Sequence, residues 1–208
     1  MTVWGSQKMT STGASSDFSE LPVLNLPSPG EEDAFCAQLR DTCHNIGFFY
    51  IGEHGVPPLA CDGALDAAIR FFALPDKQKE AMDNRNSPAF RGYVRLGAEN
   101  TAGLPDYREQ VEFGVEKAAP DSRDLEAPPY RCLVGPNQWP TEAECPGFKS
   151  AMIEFLSSME NLSRRLMHYL ALSLDLSADF FEPTFGDEPN VQMKIARCKF
   201  PCLCFCVL

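Results

Sequence analysis

A single long amphipathic stretch limits the folds open to this chain. From Phe148 to about Leu174, apolar residues recur every three or four positions, which predicts a helix with one buried face. The stripe consists of Phe148, Met152, Phe155, Met159, Leu162, Leu166 and Tyr169. Full burial of such a side chain stabilises a fold by about 1.5–3 kcal/mol, so the helix needs a partner surface along its whole length. We expect a core helix, and a marginal, aggregation-prone chain if the stripe is only partly covered.

Two strand-and-helix pairs are predicted ahead of this long helix. In the first pair, residues 23–26 form a short apolar segment, and Ser28 to Glu31 matches a capping box that starts a helix. Gly47 stands where a residue with left-handed backbone ends that helix. The buried face of the helix is predicted to carry Phe35, Leu39, Cys43 and Ile46.

The second pair follows directly along the chain. Residues 48–51 are continuously apolar, which is typical of a strand covered on both faces. His54 lies in a turn that leads into a second helix, and Asp76 is predicted to cap a brief third helix. The apolar stripe of the second helix is predicted to be Leu65, Ile69 and Phe72. Further strands are expected near 92–94, 110–113 and 191–196.

Length and composition favour one soluble globular domain. The chain has 208 residues, of which 44% are hydrophobic and 23% are charged. Its net charge of -11 argues against a nucleic-acid partner, because a phosphate backbone requires a basic face. No run approaches the ~18 apolar residues that span a bilayer, and residues 1–20 lack the apolar core of a signal peptide. We therefore predict a flexible leader over 1–20, no membrane contact, and a cytoplasmic protein with reduced cysteines.

Five short motifs follow one another along the chain. They are Gly47 to Val56, Phe71 to Pro75, Arg91-Gly92-Tyr93, the segment from Glu99 to Glu109, and Gly135 to Pro140 with Pro146-Gly147-Phe148. Together they resemble the non-haem dioxygenase N-terminal region of the isopenicillin N synthase-like family of iron and 2-oxoglutarate oxygenases. The resemblance extends over residues 21–197.

The resemblance implies an α+β fold in which helices pack on an incomplete double-stranded β-helix, or jelly roll. It divides the chain into four parts: a leader over 1–20, the dioxygenase N-terminal region over 21–140, the long helix and first core strands over 141–197, and a divergent Cys-rich tail over 198–208. Complete members of the family use Fe(II) and 2-oxoglutarate to oxidise a small organic molecule. This chain is accordingly expected to be a truncated member.

The same resemblance directs attention to metal ligands. Family members hold ferrous iron with two histidines and one carboxylate, and the local pattern is His-x-Asp or His-x-Glu. None of the histidines, His44, His54 and His168, is followed two residues later by a carboxylate. We therefore predict no catalytic, metal-binding or cofactor-binding residue in this chain, no bound cofactor, and no iron chemistry of its own.

Arg91 and Tyr93 are the candidate substrate-binding residues, because their segment lines the substrate region in some relatives. A planar guanidinium also suits a substrate carboxylate. An ordinary role in a sheet or at the surface is equally compatible with both positions. Asp106 and Glu109 are expected to organise a loop rather than to act as acid–base catalysts.

Two further sites have structural interpretations. His54 is expected to hydrogen-bond the turn that it occupies. Arg85-Asn86-Ser87 reproduces the Arg-x-Ser pattern that clamps oxoglutarate in the family, but it lies far ahead of the place where that motif belongs. We interpret that match as a coincidence.

Two other functions remain open. A non-catalytic interaction module would use the exposed apolar stripe and the open sheet edge to bind a partner or to self-associate. Thiol or metal binding by the tail is the third hypothesis, although its alternating cysteines do not match the paired Cys-x2-Cys of zinc sites. The tail, whose composition looks foreign to the rest of the chain, carries Cys198, Cys202, Cys204 and Cys206.

Overall fold

The structure, a computed structural model, describes residues 21–119, 132–186, 189–198 and 203–207, the last segment as backbone alone. In chain order the elements are β1 (Val23–Asn25), α1 (Glu32–Asn45), β2 (Tyr50–Gly52), α2 (Pro58–Phe72), α3 (Asp76–Glu80), a 3-10 turn (Asn84–Asn86), β3 (Gly92–Val94), β4 (Asn100–Thr101), β5 (Leu104–Pro105), β6 (Arg108–Gly114), α4 (Phe148–Ser173), α5 (Glu182–Phe185), β7 (Gln192–Cys198) and β8 (Leu203–Val207). The predicted mixture of helices and strands is therefore confirmed.

The largest sheet in the described part of the chain has four antiparallel strands in the order β3-β6-β7-β8. Val111 of β6 lies opposite Tyr93 on one side and opposite Ile195 on the other. β1 and β2 form a separate parallel pair, and β4 and β5 form a short antiparallel pair. The strands predicted near 92–94, 110–113 and 191–196 are confirmed as β3, β6 and β7.

The main core lies between this sheet and the helices α2 and α4. Alternate sheet residues point into it, as expected from the two-residue period of a strand. Phe71 of α2 stacks on Phe148 of α4 with ring centroids 4.9 Å apart, and Phe113 of β6 stacks on Trp139 at the same separation. The sheet side chains in this core are Tyr93, Val111, Phe113, Met193 and Ile195.

The long helix predicted from its apolar stripe is confirmed as α4. The first half of the stripe, from Phe148 to Phe155, is buried in the main core. The second half, from Leu162 to Tyr169, is partly buried against a second cluster that contains Leu24, Phe35 and Leu39. One helix therefore joins two apolar clusters, the second of which lies between α1 and the β1–β2 pair.

Helix α1 differs in detail from its prediction. It begins at Glu32 without a side-chain cap, although the Glu31 carboxylate accepts a hydrogen bond from the Ser28 amide at 3.2 Å. Cys43 was expected to be buried and is exposed, whereas Thr42 is buried. With 3.6 residues per turn, position 42 lies closer than position 43 to the line that runs through Phe35. Gly47 adopts the predicted left-handed backbone, with φ at 89°.

The buried face of α2 was predicted wrongly. Leu65 and Ile69 are 39% and 54% exposed, while Phe72 is buried as expected. The face that meets α4 is instead made of small residues together with the paired phenylalanines: Ala60, Ala64, Ala67, Ala68, Phe71 and Phe72. Alanine lets two helix backbones approach closely, since the interaxial distance is set by the side chains at the contact.

One prediction about a strand environment was also wrong. Tyr50 of β2 is exposed on one face of the β1–β2 pair, so this strand is covered on only one side in the described part of the chain. β8 pairs with the edge of β7 and places Phe205 opposite Ile195. β8 lies within the segment expected to be a foreign tail, so backbone hydrogen bonding extends the sheet there. No helix among the described residues is long and apolar enough to cross a membrane.

Candidate functional site

The sheet has a second face, which points away from α2 and α4. Strand β6 alternates between the two sides: Glu109, Val111 and Phe113 face the helices. The intervening residues of β6, together with alternate residues of β7, form the other side. We call this side the polar sheet face and define it by Arg108, Gln110, Glu112 and Lys194.

Glu112 is the centre of the polar sheet face. Its Oε1 atom lies 2.9 Å from Lys194 Nζ and accepts a hydrogen bond of 3.2 Å from Gln110 Nε2. Gln110 also donates to Glu99 Oε1 at 2.8 Å. Gln110 is fully buried, and its own Oε1 atom has no hydrogen-bond partner. An acceptor left unpaired in a buried place is unusual enough to need an explanation.

Arg108 completes this face but is already neutralised. Its guanidinium donates to Glu99 Oε2 at 2.8 Å and lies 3.0 Å from Asp106 Oδ2. Hydrogen bonding to Glu99 raises the pKa of the Arg108 guanidinium above its usual value. Asp106 therefore organises the end of its loop, as the sequence predicted.

Arg91 immediately precedes β3 and is only 2% exposed. Its Nη2 atom donates to the Leu133 carbonyl at 3.2 Å, but its Nε has no partner, and no carboxylate of the described residues lies within ion-pair distance. Burial lowers the pKa of the Arg91 guanidinium, and the Glu112 carboxylate acts against that effect. The guanidinium occupies the space above Gly114, where any Cβ would clash with it. Among the described residues, Arg91 is thus a buried cation that has no carboxylate within ion-pair distance.

The backbone around Arg91 is fixed by its neighbours. Gly92 has φ at 123°, a conformation that side chains disfavour, and a Cβ there would clash with the Met82 carbonyl. Gln138 donates to the Arg91 carbonyl at 2.7 Å and to the Asp83 carbonyl at 2.9 Å. The position of the guanidinium is therefore set by packing and by hydrogen bonds to the main chain.

Tyr93 belongs to the opposite side of the sheet. Its hydroxyl donates to Glu109 Oε2 at 2.6 Å, and burial together with this hydrogen bond raises the pKa of Tyr93 far above its usual value. Glu109 also accepts a 2.8 Å hydrogen bond from Lys79 Nζ and pairs with Arg197. The prediction that Glu109 organises a loop is wrong, because this residue lies within β6 and is buried. The two predicted substrate-binding residues, Arg91 and Tyr93, contact different partners and do not converge.

The histidines lie on separate elements. His54 Nδ1 accepts a hydrogen bond from the Val56 amide at 3.0 Å, which confirms its expected role in the turn before α2. His44 is in the last turn of α1, and His168 is on α4. The described residues include no group of three or more His, Cys, Asp or Glu that could hold a metal ion. The described side chains therefore do not fit the donor set of two imidazoles and one carboxylate.

The Arg-x-Ser match is engaged in local contacts. Arg85 binds the Asp83 carboxylate through two nitrogens, at 2.8 and 2.7 Å, and this hydrogen bonding lowers the pKa of Asp83. Ser87 Oγ accepts hydrogen bonds from the Ala89 and Arg91 amides. These contacts agree with the interpretation of the match as a coincidence.

The cysteine tail can be followed only in part. Cys198 ends β7 and is half-buried. Cys202 lies outside the described residues, and Cys204 and Cys206 are described as backbone in β8. Thiol or metal binding by the tail stays a prediction.

A separate cavity of about 620 Å³ lies beside α4 and α5. Apolar side chains such as Met167, Phe181 and Val191 line much of it. Arg164 at its wall is neutralised by Glu160 at 3.0 Å and donates to the Gly186 carbonyl at 2.7 Å. Arg164 and Glu160 at the wall of this cavity are thus paired with each other.

Sequence reasoning missed Gln110, Glu112 and Lys194. The signal was present in Gln110 to Phe113, where polar and apolar residues alternate, and in the lysine between Met193 and Ile195. A strand was predicted at both places, and the two-residue period of a strand puts these polar side chains on one face.

Comparison with known proteins places these observations in a family. A family model described as non-haem dioxygenase in morphine synthesis N-terminal matches residues 17–142. The chain belongs to this non-haem dioxygenase N-terminal family. It is 33% identical over 183 residues to the 2-oxoglutarate-dependent dioxygenase frbJ of Dothideomycetidae sp., covering 86% of this chain and 48% of that protein. It is 30% identical over 191 residues to homoarginine-6-hydroxylase 2-ODD-C23 of Glycine max, covering 86% and 56%.

Solved structures support the fold. A putative 2OG-Fe(II) oxygenase family protein from Caulobacter crescentus superposes with a TM-score of 0.69 at 24% identity, covering 86% of this chain and 56% of that one. The dioxygenase for auxin oxidation in rice superposes with a TM-score of 0.59 at 24% identity, covering 87% and 52%. The chain spans about half the length of the relatives that it matches.

Proposed function

We propose that this chain forms the N-terminal, substrate-facing part of an Fe(II)- and 2-oxoglutarate-dependent oxygenase that oxidises a small organic molecule. The polar sheet face carries the proposal. One side of the sheet is packed on α2 and α4, while the other holds charged groups that remain partly exposed. Small-molecule sites combine such a firmly supported surface with a few fixed polar groups.

In this proposal the four-stranded sheet is the beginning of a jelly roll whose further strands enclose the polar sheet face. The ligands for Fe(II) and 2-oxoglutarate then lie outside these 208 residues. His44, His54 and His168 lie on different elements, which supports this placement of the iron ligands. We also propose that the protein is cytoplasmic.

The two predicted substrate-binding residues receive different roles. Arg91 acts on the substrate through its charge, since no carboxylate of the described residues pairs with it. Tyr93 is a positioning residue, because its hydroxyl is held by Glu109. It keeps β3 in register with β6, where Tyr93 lies opposite Val111.

Iron binding by the purified 208-residue chain tests where the ligands lie. We expect anaerobic titration with Fe(II), in the presence of 2-oxoglutarate, to give no stoichiometric binding by calorimetry. Tight binding of one Fe(II) per chain would contradict the proposal, because it would require a ligand set within this sequence.

The oxygenase assignment has its own test. We expect the transcript to contain, downstream of the Arg197 codon, a frame that encodes His-x-Asp and a later histidine. The corresponding longer protein should convert 2-oxoglutarate and oxygen to succinate and CO2 when Fe(II) is supplied, with ascorbate as the reductant that takes the second oxygen atom to water in the absence of substrate. A longer protein that carries this pattern and binds iron, yet forms no succinate, would refute the assignment.

A second candidate function is a module that binds a copy of itself. The observation that favours it is the outer face of the β1–β2 pair, where Val23 and Tyr50 lie opposite each other and are both exposed. We expect sedimentation to show association that grows with concentration and that Tyr50→Lys suppresses. Leu59→Lys, at an exposed position on α2, serves as the control and should change nothing. Association that persists in Tyr50→Lys would remove this face from consideration.

A further inference from the structure

The cavity beside α4 and α5 has the size and the lining of a small-molecule site. Its volume of about 620 Å³ lies within the ~300–1,000 Å³ that such sites occupy in proteins. Met167 of α4 and the rings of Phe181 and Phe185 give it apolar walls. Val191, which also packs against the main core, lines the side next to β7. The cavity can therefore hold the apolar body of a small organic molecule.

One arginine fixes the two walls of this cavity relative to each other. Arg164 of α4 donates through Nη1 to the Phe185 and Gly186 carbonyls, at 3.5 and 2.7 Å, at the C-terminal end of α5. Its Nε and Nη2 atoms donate to Glu160 Oε1 at 3.3 and 3.0 Å. Each nitrogen of the guanidinium thus has an acceptor within the protein. Arg164 is therefore a positioning residue that ties α5 to α4.

The polar groups in the wall select the charge of a ligand. Glu160, Arg164 and His168 are four residues apart and lie along one face of α4. Glu182 begins α5, and its carboxylate forms no ion pair among the described residues. Because Glu182 is exposed to solvent, its charge requires no counter-ion. It does decide which charge is favourable at the mouth of the cavity.

We propose that this cavity binds a small apolar amine, whose body lies between Met167, Phe181 and Phe185 and whose protonated amine pairs with Glu182. The aromatic rings also suit a cation, since the face of a ring attracts positive charge. An anion is disfavoured by the two carboxylates of the wall and by the net charge of -11 on the whole chain. The inference goes beyond the proposed oxygenase function and requires neither Fe(II) nor 2-oxoglutarate.

Three naphthalene compounds that differ in charge test the proposal. The cation 1-naphthylmethylamine, the neutral 1-naphthylmethanol and the anion 1-naphthoate are each titrated into the isotope-labelled 208-residue chain at neutral pH and constant ionic strength. We expect the amine to give saturable amide shifts in residues 160–168 of α4 and in α5. The alcohol should bind about fivefold more weakly, as for loss of a partly exposed ion pair, and the naphthoate more weakly still. Absence of saturation, equal affinity for all three compounds, or shifts confined to the β1–β2 pair would overturn the proposal.

Glu182→Gln separates charge recognition from folding. We expect it to weaken binding of the amine about fivefold and to leave the affinity for the alcohol unchanged, because only the ion pair is lost. Glu154→Gln, at an exposed position of α4 outside the cavity, should leave both affinities unchanged. A merely structural role of Glu182 predicts equal losses for the two compounds. Equal losses, or no loss for the amine, would therefore contradict the proposal.

A substitution that fills the cavity tests its position. Ala178→Trp places a large side chain in the wall and should abolish binding of the amine and of the alcohol. Ala37→Trp makes the same substitution at an exposed position of α1 and should leave both affinities unchanged. Retained binding in folded Ala178→Trp would exclude the cavity as the site. The result for Glu182→Gln does not depend on the folding of this variant, because it compares two ligands on one chain.

Discussion

Glu109 illustrates how a single buried carboxylate can hold several elements together. It accepts hydrogen bonds from Lys79 of α3 and from Tyr93 of β3, and it pairs with Arg197 of β7. Lys79 also lies over the Tyr93 ring, 5.5 Å from its centroid. With one anion shared among these donors, the ends of three elements are fixed relative to β6.

Removing this carboxylate should destabilise the fold strongly. We expect Glu109→Ala to lower the free energy of unfolding by about 3–5 kcal/mol, because Lys79 then remains buried with only the exposed Asp76 as a partner. Urea denaturation followed by circular dichroism measures the change. Glu154→Ala, at an exposed position on α4, is the control and should stay within about 0.5 kcal/mol of the wild type. Equal midpoints for the two variants would show that the Glu109 contacts contribute little.

The sequence predicted neither the location of Glu109 in a buried strand nor its partners. Glu109 stood within a recognisable motif, yet nothing local indicates that its partners come from α3 and β7, which are distant in sequence. Arg91 presents the same difficulty, since its burial depends on Leu133 and Gly114. Partners that are brought together by tertiary packing leave no periodic signal.

Helices were predicted more reliably than the faces that they bury. α1, α2 and α4 were each located from apolar spacing, and α4 was also predicted with its correct buried face. In α2 the larger residues Leu65 and Ile69 were assigned to the core, but the contact with α4 is made by small residues. A pattern that ranks residues by hydrophobicity alone misses a helix contact built for close approach.

The alanine face of α2 should tolerate no added volume. We expect Ala67→Leu to lower the free energy of unfolding by about 1–3 kcal/mol, because position 67 is fully buried in the main core. Ile69→Leu inserts the same side chain at an exposed position of the same helix and should change stability by less than about 0.5 kcal/mol. Thermal and urea denaturation of the two variants provide the comparison. If Ala67→Leu were as stable as Ile69→Leu, the helices could not be closely packed at this point.

At the scale of the whole molecule, the sequence predicted the fold class correctly but did not predict the structure of the last residues. The α+β fold, the strands β3, β6 and β7, and membership of the oxygenase family were all predicted. The pairing of β8 was not, because the composition of the last residues suggested a foreign tail rather than a strand. Backbone hydrogen bonding depends little on residue type, so a strand can form wherever an edge such as that of β7 is available.

The position of α4 determines which parts of this protein unfold together. One end of this 26-residue helix packs in the main core, and the other end packs against the second cluster, beside α1. Neither cluster can come apart without withdrawing support from its neighbour, because the helix is rigid and common to both. Amide hydrogens deep in either cluster should therefore exchange with deuterated water at matching free energies, as one cooperative unit.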